Sequence, residues 1–243
     1  MIPTRTVDES LLRLFSTPHV FSEHLTKWED NQLRDKYDDN SFFYSGRPSL
    51  EEVRAALAYQ KKRGDAFLKL EGYEPLDNTF GMETDATLTM ELPKGTDTNG
   101  WKTNPAISIR PPEFTQLEQH ELKYLGPLYG EDFTVRNNRR LREKLTYLGA
   151  YRADKLVGSC YVYAVDGYVC MDSLLVDEAF RHQYVATTLM KHIAEKARER
   201  GDILYLHADP EDTPKEMYVK MGFQVVDKVY EYLCTDFAKL KVE

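Results

Sequence analysis

The segment that is richest in chemical possibilities runs from Met171 to Met190. An apolar run that ends at Val176 is followed by a short polar loop, and a helical pattern begins near Tyr184. Such a turn aims several backbone N–H groups and the positive end of the helix dipole at one point. A pyrophosphate binds well at such a point. An ordinary strand-to-helix connection has the same pattern, so both interpretations stay open from this segment alone.

A second segment, residues 213–223, combines a helix start with an aromatic end. Thr213 and Glu216 form the pattern of a capping box, and Pro214 stands at the first helical position. The predicted helix contains Tyr218, and Phe223 follows directly after it. From the residues alone, Tyr218 is either a functional side chain or a core tyrosine that packs against Phe223.

Together, the two segments resemble the GNAT superfamily of acyl-CoA N-acyltransferases. The family loop pattern is Arg/Gln-x-x-Gly-x-Gly/Ala, and the run from Arg181 to Ala186 matches it except at the first glycine, where Tyr184 stands. His182 also replaces a frequent glycine. The second family element, similar to Tyr-x-Lys-x-Gly-Phe, is present from Tyr218 to Phe223. The resemblance covers roughly residues 107–234, with the elements in the family order.

The resemblance implies an N-acetyltransferase that transfers an acetyl group from acetyl-CoA to a primary amine by direct attack in a ternary complex. Tyr218 would protonate the departing thiolate, since an ordinary tyrosine pKa near 10 suits that task. Backbone N–H groups around Leu174–Val176 would polarise the thioester carbonyl, and the loop would hold the pyrophosphate. The implied coenzyme-binding residues are Leu174, Leu175, Val176, Arg181, His182, Gln183, Tyr184, Val185, Ala186 and Thr187. A longer acyl-CoA donor stays open.

Asp172 is the candidate general base, because the attacking amine must lose a proton. It is an acid in an apolar strand run, and strand alternation places Asp172, Leu174 and Val176 on one face unless a bulge intervenes. A structural role for Asp172 is the alternative. Tyr184 in place of glycine is expected to point away, to stack along the coenzyme or to obstruct binding.

The predicted fold is α/β, with a mixed, mostly antiparallel sheet flanked by helices. We expect residues 1–70 to be mostly helical and residues 93–106 to form a linker. The predicted domains are residues 1–104, a smaller and possibly degenerate repeat, and residues 105–243, the GNAT-like domain. The repeat hypothesis rests on Arg63-Gly64-Asp65 and Arg200-Gly201-Asp202, which each follow a helical pattern and precede a strand.

Composition excludes several classes of function. The formal net charge is -8, and both predicted domains are acidic, so we expect no nucleic-acid partner. No apolar run has the length of a membrane span or a signal peptide, and the three cysteines have no disulfide or zinc spacing. We therefore expect a cytoplasmic protein with reduced cysteines and no metal. His207 is interpreted as a strand-end histidine rather than an acceptor-site residue.

These observations favour an acetyltransferase that acts on a small-molecule or peptide amine, with a homodimer as one option for its assembly. Two alternatives stay open. A non-catalytic acyl-CoA-binding or regulatory protein would bind coenzyme A without turnover. A partner-binding protein that keeps the fold as a relic would bind no coenzyme A.

Overall fold

A computed structural model describes residues 4–165, 167–211 and 214–242. The chain divides into two compact units. The first comprises Met1–Thr89, Ala208–Asp212 and Val225–Glu243, and the second comprises Met90–His207 and Thr213–Gln224.

Apart from short 3-10 turns, the described residues of the first unit form eight helices and strands. They are α1 (Thr4–Leu12), β1 (Thr17–Val20), β2 (Leu25–Glu29), β3 (Phe42–Tyr44), α2 (Leu50–Arg63), β4 (Leu68–Gly72), most of β5 (Glu83–Leu92) and most of β11 (Gln224–Cys234). Strands pair in the order β1-β2-β3-β4-β11, and only β3 and β4 are parallel. The core includes Phe42, Val53, Leu68 and Leu70, all fully buried.

One expectation for the N-terminal region differs from the structure. The prediction that residues 1–70 are mostly helical is wrong, because this region contains four strands of three to five residues. Strands this short show too few alternations for a period-2 pattern to be recognised. The contact units do not follow the linear sequence, since residues Tyr230–Cys234 pair with β4.

In the second unit, nine helices and strands are formed by the part of the chain that the structure describes, besides one 3-10 turn. They are β6 (Ile107–Arg110), α3 (Phe114–Tyr129), α4 (Glu131–Arg142), β7 (Thr146–Arg152), β8 (Lys155–Val165), β9 (Tyr168–Val176), α5 (Val185–Arg200), β10 (Ile203–Ala208) and α6 (Pro214–Lys220). Strands pair in the order β10-β9-β8-β7-β6, and only β9 and β10 are parallel. Pairing is thus mixed and mostly antiparallel in both units, which confirms the predicted fold class.

Helices α3 and α5 lie against opposite faces of β8. Val185, the first residue of α5, packs over Gly158, where a Cβ atom would come within 2.9 Å of the valine Cγ1. Tyr161, three residues further along β8, points to the other face because side chains alternate along a strand. Tyr147 faces Tyr161 across β7 and β8 and hydrogen-bonds to Glu121 of α3. One face of β8 is therefore covered by an apolar side chain of α5, whereas the other face carries tyrosines next to α3.

The Arg-Gly-Asp repeat adopts the same geometry twice. Gly64 ends α2 with φ +77° and ψ +22°, and Gly201 ends α5 with φ +77° and ψ +15°. In each copy the Arg Nε lies 2.9 Å from an Asp Oδ2. Each helix connects two parallel strands, β3 to β4 and β9 to β10. The two units therefore share a strand–helix–strand element, as the repeat hypothesis expects.

Cys160, Cys170 and Cys234 are buried and are not joined in disulfides. Burial raises the pKa of Cys160 to about 12, so its thiol stays protonated at neutral pH. Among the described helices, none combines the length and the hydropathy needed to cross a bilayer.

Candidate active site

Strands β9 and β10 separate at one end. Their parallel pairing runs from Tyr168 and Ile203 to Met171 and Leu206, whereas β9 continues to Val176. The amide of Asp177 donates to the carbonyl of Val157 in β8. Because successive amides of an extended strand point in opposite directions, the amide of Val176 points to the side from which β10 has diverged. This edge of β9 offers main-chain donors to a ligand.

A β-bulge lies within the separated part of β9. Tyr161 pairs with Asp172 and Ser159 pairs with Leu175, so two residues, Ser173 and Leu174, lie opposite one residue of β8. Ser173 has φ +53°, the left-handed conformation that bulges often contain. Val176 pairs with Gly158, which points to the face opposite Tyr161. The expectation that Asp172 and Val176 share a face is therefore wrong, because the bulge changes the alternation.

Asp172 is held by two donors. The hydroxyl of Tyr161 donates to its Oδ2 atom at 2.8 Å, and the amide of Ser173 donates to its Oδ1 atom. Burial, followed by the nearby Asp172 carboxylate, raises the pKa of Tyr161 well above its ordinary value. Tyr161 therefore remains a donor at any neutral pH, and Asp172 keeps the remaining lone pairs of its carboxylate for another partner.

His207 is the residue of β10 that directly follows the last pair, as Asp172 is on β9. Its Nε2 atom lies 2.8 Å from the hydroxyl of Tyr205, and the two rings meet edge to face. Continued alternation along the parallel pair places His207 and Asp172 on the same face, at the point where the strands separate. The structure thus brings a histidine and Asp172 to the same end of the β9–β10 pairing.

The loop that joins β9 to α5 begins with a short 3-10 turn, Glu178–Phe180. Asp177 caps this turn by accepting from the amide of Ala179, and Lys123 and Lys155 lie within 3.5 Å of its carboxylate. Arg181 follows with an exposed side chain, which lies 4.0 Å from Glu178. The loop is therefore exposed to solvent at Arg181, shortly before α5 begins.

Two residues of this loop have a left-handed backbone although neither is glycine. His182 has φ +60°, and Tyr184 has φ +61° and ψ +21°. Both are positions at which the family often has glycine, so the chain keeps the backbone geometry without the residue that favours it. Tyr184 is 45% exposed.

The first turn of α5 supplies the expected donors. Val185 is buried, and Ala186 and Thr187 are half-buried. The amides of these three residues precede the first intrahelical donor, Thr188, which donates to the carbonyl of Tyr184. Gln183 is fixed on both sides, because its Nε2 donates to Ala179 and its Oε1 accepts from Arg152. These two hydrogen bonds fix Gln183 just before the N-terminus of α5.

Tyr218 is buried in α6, 6% exposed, with its ring 5.9 Å from that of Phe223. The amide of Phe223 donates to the carbonyl of Tyr218, and Gly222 between them has φ +97°. The tyrosine therefore has the contact with Phe223 that the core interpretation requires. The predicted cap Thr213 lies outside the described residues.

The structure adds two residues from α3 that the sequence did not single out. His120 is 7% exposed and hydrogen-bonds to the carbonyl of Leu175, directly after the bulge, and burial lowers its pKa. Burial raises the pKa of Glu121 to about 6, although Arg142 lies 2.9 Å away and opposes the shift. No local motif marks these residues, since their roles arise from contacts of α3 with β7 and β9.

One group of carboxylates in the first unit has the spacing of a metal site. Asp38, Glu71 and Glu231 have oxygen atoms within 4.8 Å of one another. The ammonium of Lys69 contacts all three, at 2.9 Å from Glu71 and 2.6 Å from Glu231. The ammonium of Lys69 therefore supplies the cation of this cluster, which is a partly exposed ion-pair network.

Comparisons with known proteins agree with this geometry. Residues 108–223 match the model of the acetyltransferase (GNAT) family. No curated protein sequence matches the chain significantly. Among solved structures, a conserved protein of unknown function from Staphylococcus epidermidis has a TM-score of 0.77 at 16% identity, covering 91% of this chain and 95% of that one.

Two further structures extend the similarity. A GCN5-related N-acetyltransferase from Kribbella flavida has a TM-score of 0.67 at 13% identity, with 98% of each chain covered. A tandem GNAT protein from the clavulanic acid biosynthesis pathway has a TM-score of 0.57 at 13% identity, covering 86% of this chain and 78% of that one. These similarities establish the fold across most of the chain.

Proposed function

Because residues 108–223 match the model of the acetyltransferase (GNAT) family, we propose that this protein transfers an acetyl group from acetyl-CoA to a primary amine. The observation that carries the proposal is the separation of β9 from β10 beside the N-terminus of α5. The separated edge offers main-chain donors to a thioester, and the helix N-terminus offers amides to a pyrophosphate. One extended ligand that contains both groups is an acyl-coenzyme A.

In this proposal, Val185, Ala186 and Thr187 hold the pyrophosphate through their amides, and Arg181 adds a cation. The amide of Val176 polarises the thioester carbonyl, an effect worth on the order of 100- to 1,000-fold in rate. Leu174 and Leu175 form the adjoining wall. The remaining loop residues, His182, Gln183 and Tyr184, shape the turn.

The reaction proceeds by direct attack. The amine nitrogen forms a bond to the thioester carbon while the carbon–sulfur bond breaks, and the acetyl group passes to nitrogen without an enzyme-bound intermediate. Asp172 accepts the proton of the amine, and Tyr218 donates a proton to the thiolate of coenzyme A. His207 lies on the face of Asp172 and borders the acceptor.

The acceptor in this proposal is a small-molecule or peptide amine, with the protein in the cytoplasm and no metal involved. The net charge of -8 suits a cationic amine better than a nucleic acid. Burial keeps the Cys160 thiol protonated, so the transfer does not pass through an acyl-cysteine at that position.

The test is calorimetric titration of the full-length protein with acetyl-CoA and coenzyme A, followed by thiol release with a panel of amines. Thr187→Asp places a carboxylate in the first turn of α5, where it favours the helix but repels a pyrophosphate. We expect it to weaken coenzyme binding at least tenfold. Thr115→Asp, the same change in the first turn of α3, is the matched control.

Each outcome selects one function. Binding that Thr187→Asp weakens, together with thiol release, supports the acetyltransferase. Binding without thiol release with any amine favours a non-catalytic acyl-CoA-binding protein. Absence of binding at millimolar coenzyme A would refute the proposal.

A further inference from the structure

A cavity of about 210 Å³ lies in the second unit, between residues 92–98 and the C-terminal half of α5. Its apolar wall includes Leu92, Ala194, Ala197 and Leu204, all of them buried. An engineered cavity of about 150 Å³ holds benzene, so a cavity of this size accommodates roughly eight non-hydrogen atoms. The lining therefore suits a small ligand with an apolar body.

This cavity is separate from the proposed coenzyme site. Ala194 and Arg198 of its lining lie about 14–20 Å beyond Val185 along the axis of α5. The first turn of α5, which would hold the pyrophosphate, is at the other end of the helix. A molecule in the cavity is therefore a second ligand and not a part of the coenzyme.

The hydroxyl of Thr98 gives the cavity a buried polar group. Thr98 is 3% exposed, and its Oγ1 atom has no hydrogen-bond partner among the described residues. The hydroxyl of Thr96, by contrast, donates to the carbonyl of Pro93 at 2.7 Å. Because a buried hydroxyl without a partner costs free energy, Thr98 has a hydrogen bond to offer to a ligand.

The charged groups of the lining favour an anion. Lys94 and Arg198 are exposed, and neither forms an ion pair with another described residue. Asp202 is the acidic residue of the lining, and the Nε atom of Arg200 lies 2.9 Å from its carboxylate. Two cations of the lining are therefore available, whereas its carboxylate already has a cationic partner.

The C-terminus of α5 does not leave its carbonyl groups for a cationic ligand. The amide of Gly201 donates to the carbonyls of Ala197 and Arg198, and the amide of Asp202 donates to the carbonyl of Ala197. Carbonyl groups at a helix end otherwise favour a positive charge. Since these acceptors are occupied, the side chains of Lys94 and Arg198 decide which charge the cavity attracts.

We infer that this cavity binds a small monocarboxylate, whose aliphatic or aromatic body of about six carbon atoms lies among the apolar side chains. Its carboxylate pairs with Lys94 and Arg198 and accepts a hydrogen bond from Thr98. The inference goes beyond the proposed function, because this ligand neither reacts nor shares the coenzyme site.

The experiment is calorimetric titration of the full-length protein with hexanoate, which matches the cavity in size. We expect a Kd of about 1 mM or below, as for a good ligand of so few atoms. Hexylamine and hexan-1-ol have a similar apolar body without the carboxylate, and each should bind about tenfold or more weakly. A second titration with hexanoate in the presence of coenzyme A should give the same affinity.

Substitutions in the lining locate the ligand. Thr98→Val keeps the shape of the side chain and removes the hydroxyl, so it should weaken hexanoate binding about tenfold and raise the Tm of the ligand-free protein. Thr96→Val removes a hydroxyl that has a partner and should lower the Tm. Arg198→Met should weaken hexanoate binding about threefold, as for an exposed ion pair. Lys196→Met removes an exposed lysine of the same helix, paired with Glu199, and is the matched control.

Ala194→Leu fills part of the cavity and should abolish hexanoate binding. Absence of hexanoate binding to the wild-type protein would overturn the inference, and so would equal affinity for hexylamine. Binding that coenzyme A displaces, or that Thr98→Val and Arg198→Met both leave unchanged, would place hexanoate elsewhere and would also overturn it. The inference and the proposed function fail separately, because hexanoate is first titrated without coenzyme and coenzyme is titrated without hexanoate.

Discussion

The hydroxyl of Tyr161 donates a 2.8 Å hydrogen bond to the carboxylate of Asp172 across β8 and β9. Because the pKa of this tyrosine is raised well above its ordinary value, by burial and then by Asp172, the hydrogen bond persists at all neutral pH values. Tyr161→Phe should lower the free energy of unfolding by about 1.5–3 kcal/mol, the value of a hydrogen bond to a charged group. Urea unfolding measures the change. Tyr129→Phe, at an exposed position, should change it little, and equal effects of both variants would contradict the assignment.

Asp172→Asn tests the general base. The amide keeps the shape of the side chain but cannot take a proton, so kcat with the amine found by screening should fall by about 100-fold or more. The affinity for coenzyme A should change less than twofold, because the proposed pyrophosphate contacts lie in the loop before α5. A variant with full kcat would assign the role of general base to another group, and His207, on the same face of the separating strands, would be tested next.

His182→Gly and Tyr184→Gly test the left-handed residues of the loop. Each should raise the free energy of unfolding by about 0.5–1 kcal/mol, because glycine adopts a positive φ without the steric penalty of a side chain. Thermal unfolding without ligand gives the sign. Ala186→Gly, inside the first turn of α5, is the opposite control and should destabilise by about 1 kcal/mol. If Tyr184→Gly weakened coenzyme binding, the tyrosine ring would be a contact of the ligand.

Glu52 of α2 provides a prediction for pH. Burial alone would raise its pKa, but hydrogen bonds from Ser22, Ser49 and His24 outweigh burial and lower the pKa to about 2, from 4.5. A lowered pKa means that the stabilisation is complete above pH 4.5 and is lost as the pH falls toward 2. Glu52→Gln should therefore cost about 1–2 kcal/mol at pH 7, after allowance for solvent screening.

The check is the stability of the Glu52→Gln variant between pH 2 and 5. The difference from the wild-type protein should shrink as the pH falls through this window. Glu51→Gln, at the exposed neighbouring position, is the control and should follow the wild-type curve. A difference that does not depend on pH would assign the effect to packing rather than to charge.

Local signals in the sequence were sufficient for the elements around the loop. Ser49 and Gly64 bound α2, and Val185 to Arg200 form α5 with Gly201 after it, because caps and glycine stops act within a few residues. The family motif also directed attention to the loop from Arg181 to Ala186. These features depend on residues that are close together in the sequence, so they could be predicted without knowledge of the tertiary structure.

Features that depend on distant contacts could not be read in this way. Ser173 takes a positive φ at the bulge, although serine gives no signal for it. Pairing of β11 with β4 joins residues more than 150 positions apart, and it divides the chain differently from the linker at 93–106. His120 reaches Leu175 only because α3 lies against the strands. Each of these arises from packing rather than from local propensity.

The carboxylate of Glu52 has a consequence for how the two strand–helix–strand elements respond to their surroundings. It caps the N-terminus of α2 by accepting hydrogen bonds from the amide and the hydroxyl of Ser49. An anion that is part of the chain is present at a fixed local concentration from the moment the helix forms. At the N-terminus of α5 the corresponding anion would be the coenzyme, and its stabilising effect depends on the free concentration as RT ln(1 + [L]/Kd). The N-terminus of α2 thus always has its anion at neutral pH. The stability of the element that contains α5 would instead rise and fall with the concentration of acyl donor in the cell.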